Sequence, residues 1–197
     1  MLIERHIPPN RTHVGQNKKL HQNACSLSFK GDNLNLIGFE YKALKENFVF
    51  SDKNMLEGIH IDIITNGAWS LHHLIHHIIK QIGRCKLWIS TYAVAANPAE
   101  SLVFLKEKGL LEEIYLMTDR RLSEKKTKGF DILQTICNKV LVCENHSKMV
   151  ALGNEFWKIK ISSSANLTEN KRFENVTVLF SEKSFEMTKK IITHGME

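Results

Sequence analysis

The sequence contains few of the features that mark non-globular chains. It has 3 prolines in 197 residues and no low-complexity segment, while hydrophobic residues make up 43% of the chain and charged residues 24%. A chain of this composition is not disordered throughout, and it is long enough to bury a core. The sequence therefore predicts an ordinary globular protein.

Long apolar segments are also absent. No run of about 18 apolar residues occurs, which argues against a helix that spans a membrane. Residues 1–13 lack an apolar stretch followed by small residues at a cleavage site, so classical secretion is not indicated. By default, we expect a cytoplasmic protein.

The few cysteines show no pairing pattern. Cys25, Cys85, Cys137 and Cys143 are scattered and form no C-x-x-C motif. A domain of this size and apolar content does not need disulfide bonds for stability. We expect reduced, partly buried thiols.

Basic residues exceed acidic ones, by 27 to 21, which gives a formal net charge of +6. This excess makes an anionic partner easier to accommodate than a cationic one. Between residues 120 and 128, one acidic residue, Glu124, accompanies five basic ones, which are Arg120, Arg121, Lys125, Lys126 and Lys128. A solvated loop and a patch that steers phosphate groups both explain this cluster.

The chain divides into two parts of different character. Residues 1–55 contain Pro8, Pro9 and several asparagines and lysines, with short strand-like stretches at 34–39 and 48–50. They predict an irregular N-terminal segment that packs on the main domain, binds substrate or joins a dimer contact. Residues 56–197 predict the main domain.

Strand and helix patterns alternate from residue 59 onward. A β-rich run at 59–65 precedes apolar residues at helical spacing between Leu71 and Ile82. Strand patterns at 86–91, 113–118 and 139–143 then alternate with helical patterns at 97–108, which Gly109 is placed to end, and at 130–138. This alternation predicts an α/β fold with a mixed, mostly parallel sheet and helices on both faces.

The last third of the chain predicts antiparallel pairing. Residues 148–152 and 156–161 are β-prone and flank a turn at 153–155, which favours a hairpin. A further strand is expected at 175–180 and a final helix at 183–193.

The residues best suited to chemistry lie in this last third. They are His146 and Lys148 in H-x-K, Ser164 and Asn166 in S-S-A-N-L-T, and Glu174 in E-N-V. Two residues apart on a strand, His146 and Lys148 would project from one face, so that an imidazole and an ammonium converge on one phosphate. The hairpin would return Ser164 and Asn166 to the same point, which completes a polar pocket for a tetrahedral anion.

This ordered set resembles the phospholipase D superfamily, over roughly residues 59–193. That family carries H-x-K, an Asp a few residues later, a G-S-x-N element and often an acidic residue at the start of an E-N-V-like strand. In this chain Gly153 stands where the Asp would be. The resemblance implies that residues 56–197 form a phospholipase D-like catalytic domain, which cleaves phosphodiesters through a phosphohistidine and needs no metal or cofactor.

A single H-x-K in the chain has a further implication. Members of the family with two motifs bring them together across a pseudo-twofold axis, so a chain with one motif would pair two copies as a homodimer. His146 of one subunit would then be the nucleophile and His146 of the partner subunit the general acid, with Glu174 holding an imidazole ring.

Nucleic acid, DNA or RNA, is the expected substrate, because of the basic charge and the resemblance to compact nucleases of this family with one motif. Two alternatives stay open. One is a catalytically degenerate module that binds nucleic acid or protein, and the other is a phospholipid hydrolase, for which no lipid-access helix is evident.

A second histidine cluster needs its own explanation. His72, His73, His76 and His77 form two i,i+4 pairs on a predicted helix, a spacing that suits a transition metal. No carboxylate or cysteine stands at the expected third position. An exposed polar face or partial packing is therefore the preferred interpretation, and metal binding is the alternative.

Overall fold

The computed structural model describes residues 34–37, 48–50, 56–65, 67, 69–169 and 172–196, with the backbone alone for 34–37. Most of the predicted N-terminal segment and Cys25 lie outside these residues.

Eight strands of the described chain form one sheet. They are β1 (Leu34–Ile37), β2 (His60–Thr65), β3 (Cys85–Thr91), β4 (Leu111–Asp119), β5 (Lys139–Cys143), β6 (Met149–Gly153), β7 (Lys158–Ser163) and β8 (Glu174–Phe180). Their order across the sheet is β1-β2-β8-β7-β6-β3-β4-β5. The pairs β1–β2, β3–β4 and β4–β5 are parallel and the other neighbours are antiparallel. All strands except β6 and β8 therefore run in one direction, which confirms a mixed, mostly parallel sheet.

Helices cover both faces of this sheet, as predicted. They are α1 (Leu71–Ile82), α2 (Ala96–Glu107), α3 (Arg120–Glu124), α4 (Lys128–Ile136) and α5 (Glu182–Thr193). The buried side chains of α1, α2 and α4 join one hydrophobic cluster with Leu87 and Ile89, whereas Phe185 of α5 joins a second cluster with Trp88. Because successive side chains of β3 point to opposite faces, these clusters are the two layers of the core. No helix in the described ranges is long and apolar enough to cross a membrane.

Two residues of the basic cluster, Arg120 and Arg121, lie in helix α3, whereas Lys125 and Lys126 lie in the turn that follows it. Asp119 precedes the helix in an extended conformation, and its side chain accepts a hydrogen bond from the backbone N–H of Arg121. An aspartate in this position satisfies an otherwise free amide of the first turn and stabilises a short helix. Elsewhere, the helix predicted at 130–138 begins earlier, at Lys128, and Phe156 lies in the turn before β7.

The three described cysteines are free thiols, as expected. Burial raises the pKa of both Cys85 and Cys137 to about 12. These thiols therefore stay protonated and behave as apolar core groups.

Strand direction gives the sheet two chemically different ends. At the end that we call the carboxyl end, β2, β3, β4, β5 and β7 finish while β6 and β8 begin. The other is the amino end, where the β6–β7 turn lies. Loops that follow parallel strands gather at the carboxyl end, which is where sites form in α/β proteins.

Candidate active site

The residues predicted from the motifs all lie at the carboxyl end. His146 and Lys148 directly precede β6, Ser164 and Asn166 follow β7, and Glu174 is the first residue of β8. The expectation that H-x-K lies on a strand is wrong, because β6 begins at Met149 and both residues belong to the loop from β5.

The side chains of His146 and Lys148 nevertheless converge. The Lys148 ammonium lies 3.3 Å from Nδ1 of His146 and donates a hydrogen bond of 2.8 Å to the His146 carbonyl. An ammonium has no acceptor, so Nδ1 accepts and the neutral ring carries its proton on Nε2. His146 is exposed, and its imidazole is open to a ligand.

An aromatic residue that the motifs did not indicate organises this group. Tyr92 directly follows β3, and its ring centroid lies 4.8 Å from that of His146. The Lys148 ammonium lies 5.7 Å from the same centroid, and the guanidinium carbon of Arg121 lies 5.0 Å from it. One ring therefore contacts an imidazole and two cations. Its position at the end of a parallel strand was the one sequence signal for Tyr92.

Asp119 fixes Arg121 and the start of the motif loop. This carboxylate is 2% exposed at the end of β4, and it accepts hydrogen bonds from the Arg121 N–H and Nε, each 3.0 Å, and from the Asn145 N–H, 3.2 Å. The backbone amide of Arg121, assisted by that of Asn145, holds the pKa of Asp119 below its usual range. The ionised carboxylate thus orients a cation without exposing its own charge to a ligand. The sequence analysis missed this residue.

The buried side chain of Asn145, which was also missed, anchors the residues on either side of His146. Its Nδ2 donates to the Thr91 carbonyl at 3.2 Å and to the Ser90 hydroxyl at 3.1 Å, while its Oδ1 accepts from the Ser147 N–H at 3.0 Å. These contacts tie the motif loop to the end of β3. Its place directly before H-x-K was a sequence signal.

The remaining motif residues form contacts at neighbouring strands. The Ser164 hydroxyl donates to Glu174 and accepts from the Asn175 N–H at 2.9 Å. Asn166, predicted to contact phosphate, accepts a hydrogen bond from the Tyr92 N–H at 3.2 Å. Ser164 therefore contacts Glu174, whereas Asn166 contacts Tyr92, whose ring lies beside His146.

The five basic residues of the predicted cluster divide into different environments. Arg121 contacts Tyr92, while Arg120 forms an ion pair with Glu144. Lys128 forms an ion pair of 3.2 Å with Glu100 on α2. Lys125 and Lys126 are exposed just after α3.

The position of the family's Asp lies at the amino end. Gly153 is the last residue of β6, whereas His146 precedes its first, so the strand separates them by about 13 Å. A Cβ at Gly153 would lie 2.2 Å from the carbonyl oxygen of Trp157, so no side chain fits without backbone movement. The absent Asp therefore removes nothing from the immediate surroundings of His146.

The histidines of α1 are partly packed. Burial, followed by the neighbouring His73, lowers the pKa of His72 to about 4. Nδ1 of His73 accepts from the Ser70 N–H at 3.1 Å, and Nε2 of His77 lies 2.8 Å from the Phe48 carbonyl. In the described part of the chain, no three or more His, Cys, Asp or Glu side chains are grouped to hold a metal ion.

Comparisons with known proteins give similarities of structure. No family model matches the chain, and no curated protein matches it in sequence. NucT from Helicobacter pylori is 14% identical, with a TM-score of 0.48 over 70% of this chain and 94% of that one. A polyphosphate kinase from Porphyromonas gingivalis is 11% identical, with a TM-score of 0.48 over 68% of this chain. A phosphatidylserine synthase from Haemophilus influenzae Rd KW20 is 12% identical, with a TM-score of 0.44 over 72% of this chain.

The matched regions cover 26% of the kinase chain and 39% of the synthase chain. In this chain the mixed sheet carries the H-x-K and S-S-A-N segments at its carboxyl end.

Proposed function

We propose that this chain hydrolyses phosphodiester bonds of nucleic acid at the carboxyl end of its sheet, without a metal ion. One observation carries the proposal: the exposed His146 imidazole lies 3.3 Å from the Lys148 ammonium and beside the ring that also contacts Arg121. A nucleophile beside a lysine ammonium suits an anionic phosphate, because the cation offsets the charge that develops during in-line attack.

The proposed reaction has two displacements. In the first, a nitrogen of His146 attacks phosphorus, the N–P bond forms and the P–O bond to the leaving group breaks. A second imidazole, protonated at the start, gives its proton to the leaving oxygen. In the second, that imidazole takes a proton from water, whose oxygen attacks phosphorus and releases His146.

The contact between Lys148 and His146 predicts a rearrangement on substrate binding. With Nδ1 accepting from the ammonium, Nε2 carries the proton and cannot attack. Phosphate oxygens attract the ammonium more strongly than a neutral ring nitrogen does. We infer that Lys148 moves to the phosphate, Nδ1 takes up the proton, and Nε2 becomes the nucleophile. In the assembled enzyme, Nδ1–H then donates a hydrogen bond to Glu174, which orients the ring.

The second imidazole requires a second copy of the chain. The sequence has one H-x-K, so a homodimer with twofold symmetry would place His146 of the partner subunit across a shared site. Nucleic acid is the proposed substrate, because the net charge is +6 and Arg121 adds a second cation beside the motif.

The experiment compares wild type with His146→Ala on a labelled oligonucleotide in EDTA. We expect the variant to lose at least about a thousandfold in cleavage rate, as for other enzymes that lose a nucleophile. Arg84→Gln is the control, because Arg84 lies at the amino end in an ion pair with Glu112. Circular dichroism checks folding, and light scattering checks for a dimer.

Other outcomes identify the competing functions. Cleavage that needs a divalent metal, or that survives in His146→Ala, contradicts the proposal. Oligonucleotide binding without cleavage under any condition indicates a degenerate binding module. Hydrolysis of phosphatidylcholine vesicles without nuclease activity indicates a lipid substrate.

A further inference from the structure

Arg121 differs from its basic neighbours in what balances its charge. Arg120 and Lys128 form ion pairs with side chains that are themselves well exposed, those of Glu144 and Glu100. Arg121 forms its ion pair with the buried Asp119, whose side chain is 4% exposed while that of Arg121 is 60% exposed. The cation of this pair therefore faces solvent, and its carboxylate does not.

The guanidinium of Arg121 is held in a fixed orientation. Its Nε donates to Asp119 at 3.0 Å, and its Nη1 donates to the Tyr92 hydroxyl at 2.8 Å. A guanidinium has five N–H donors, so these contacts leave three that no described residue uses. A planar donor group that is already oriented binds phosphate with little loss of side-chain entropy.

Arg121 is anchored at the hydroxyl of Tyr92, whose ring lies beside His146. The Lys148 ammonium and the Arg121 guanidinium lie 5.7 Å and 5.0 Å from the centre of this one ring. Arg121 also bonds to the phenol hydroxyl, at the tip of the ring. Because the hydroxyl of Tyr92 and the carboxylate of Asp119 hold Arg121, a phosphate on His146 and Lys148 would leave Arg121 available to a second phosphate near that hydroxyl.

We propose that Arg121 binds the phosphate next to the scissile one, so that the site selects strands with at least two consecutive phosphodiesters over substrates with one. Tyr92 is a positioning residue for this contact. The inference rests on the proposed function, which supplies the scissile phosphate at His146.

The first experiment measures binding, and it does not depend on catalysis. The affinity of a fluorescein-labelled single-stranded oligothymidylate is measured by anisotropy at several salt concentrations for wild type, Arg121→Gln and Arg84→Gln. Arg121→Gln should weaken binding about tenfold, the effect of losing charged hydrogen bonds. The slope of log affinity against log salt should fall by about 0.7, the value for one phosphate on a single strand. Arg84→Gln removes the same charge at the amino end and should leave both quantities near wild type.

The second experiment uses thymidine dinucleotide, with one phosphodiester, and the trinucleotide, with two. Arg121→Gln should lower kcat/KM about tenfold for the trinucleotide, mainly through KM, and leave the dinucleotide unchanged. Tyr92→Phe, which keeps the ring and loses the hydroxyl, should give a smaller loss on the trinucleotide alone.

Equal losses on both substrates would overturn the inference, because Arg121 would then contact the scissile phosphate. Equal binding by Arg121→Gln and Arg84→Gln would also overturn it. If wild type cleaves neither substrate, the proposed function fails, while the binding experiment still decides the role of Arg121.

Discussion

The two ends of the sheet differ in how their basic side chains are paired with acidic ones. At the amino end, three basic side chains have partly exposed acidic partners within ion-pair distance. These pairs are Arg84–Glu112 at 2.7 Å, Lys86–Glu113 at 2.6 Å and Lys189–Glu186 at 3.1 Å. At the carboxyl end, Lys148 and Arg121 gather around Tyr92, and the one carboxylate described in an ion pair with either is the buried Asp119. The amino-end pairs leave both of their charges partly exposed, whereas the Arg121–Asp119 pair leaves only its guanidinium exposed.

This difference shows how one sheet combines stability with a site. Exposed ion pairs between side chains contribute little free energy, but they cancel the local field. Cations that converge without exposed acidic partners create a field that attracts phosphate and raises its local concentration. An asparagine supports each end: Asn145 anchors the motif loop, and Asn154 anchors the β6–β7 turn.

The largest effect on stability is expected at the amino end. Gly153→Asp introduces the Asp of the motif that the chain resembles, but its Cβ would meet the Trp157 carbonyl oxygen at 2.2 Å. The backbone has to move, so urea denaturation should show a loss of about 3 kcal/mol. Gly153→Ala should lose as much, because the Cβ makes the clash. Higher activity with unchanged stability would mean that the two ends are coupled through β6.

The two asparagines test the comparison directly. Asn145→Ala and Asn154→Ala each remove donors to two backbone carbonyls and an acceptor for backbone N–H groups. Each should lower the free energy of unfolding by about 2 kcal/mol. At equal folded concentration, Asn145→Ala should also slow oligonucleotide cleavage about tenfold, because His146 loses its anchor. A similar loss of activity in Asn154→Ala would contradict the separation of the two ends.

Acid should lower the free energy of unfolding, because it protonates the buried His72 of α1. The pKa of His72 is lowered by burial to about 4, below its ordinary 6.5, so the unfolded chain binds this proton more readily. Stability from the neutral ring is therefore present above pH 6.5 and is lost progressively as the pH falls towards 4. His72→Leu should flatten this part of the curve of unfolding free energy against pH. An unchanged slope in that variant would show that another group is responsible.

The smallest effect is expected from the paired charges. Arg84→Gln breaks an ion pair whose side chains are 71% and 34% exposed. Thermal or urea unfolding should change by about 0.5 kcal/mol or less. A larger loss of stability would contradict the small free energy expected of an exposed ion pair. Weaker oligonucleotide binding would show that the amino end also contributes to binding.

The regular elements were largely predictable because their signals are local. Strand β5 occupies 139–143 as predicted, and the apolar residues of α1 recur at helical spacing on its buried face. Gly109, expected to end the second helix, has a φ of +69°, a conformation that glycine adopts without strain. Helix α3 escaped prediction because its five residues are too few for a periodic pattern, and its N-terminal cap depends on Asp119.

Part of the proposed site was also evident in the sequence. The motif residues were found because they stand in the same order along the chain as the motifs that they resemble; they are His146, Lys148, Ser164, Asn166 and Glu174. Tyr92, Asp119 and Asn145 escaped because their contacts join distant segments: Arg121 meets Tyr92 across 29 positions, and Asn145 meets Thr91 across 54.

By itself, the sequence determined the alternation of strands and helices, the fold class and the motif residues available for chemistry. Hydrophobic periodicity and motif order are properties of neighbouring residues, and they need no knowledge of the folded chain. Tertiary structure decided which cations converge on Tyr92 and which are paired with acidic side chains. It also placed Gly153 at the opposite end of β6 from His146. Those outcomes depend on strand order and register, which bring together side chains that the sequence holds far apart.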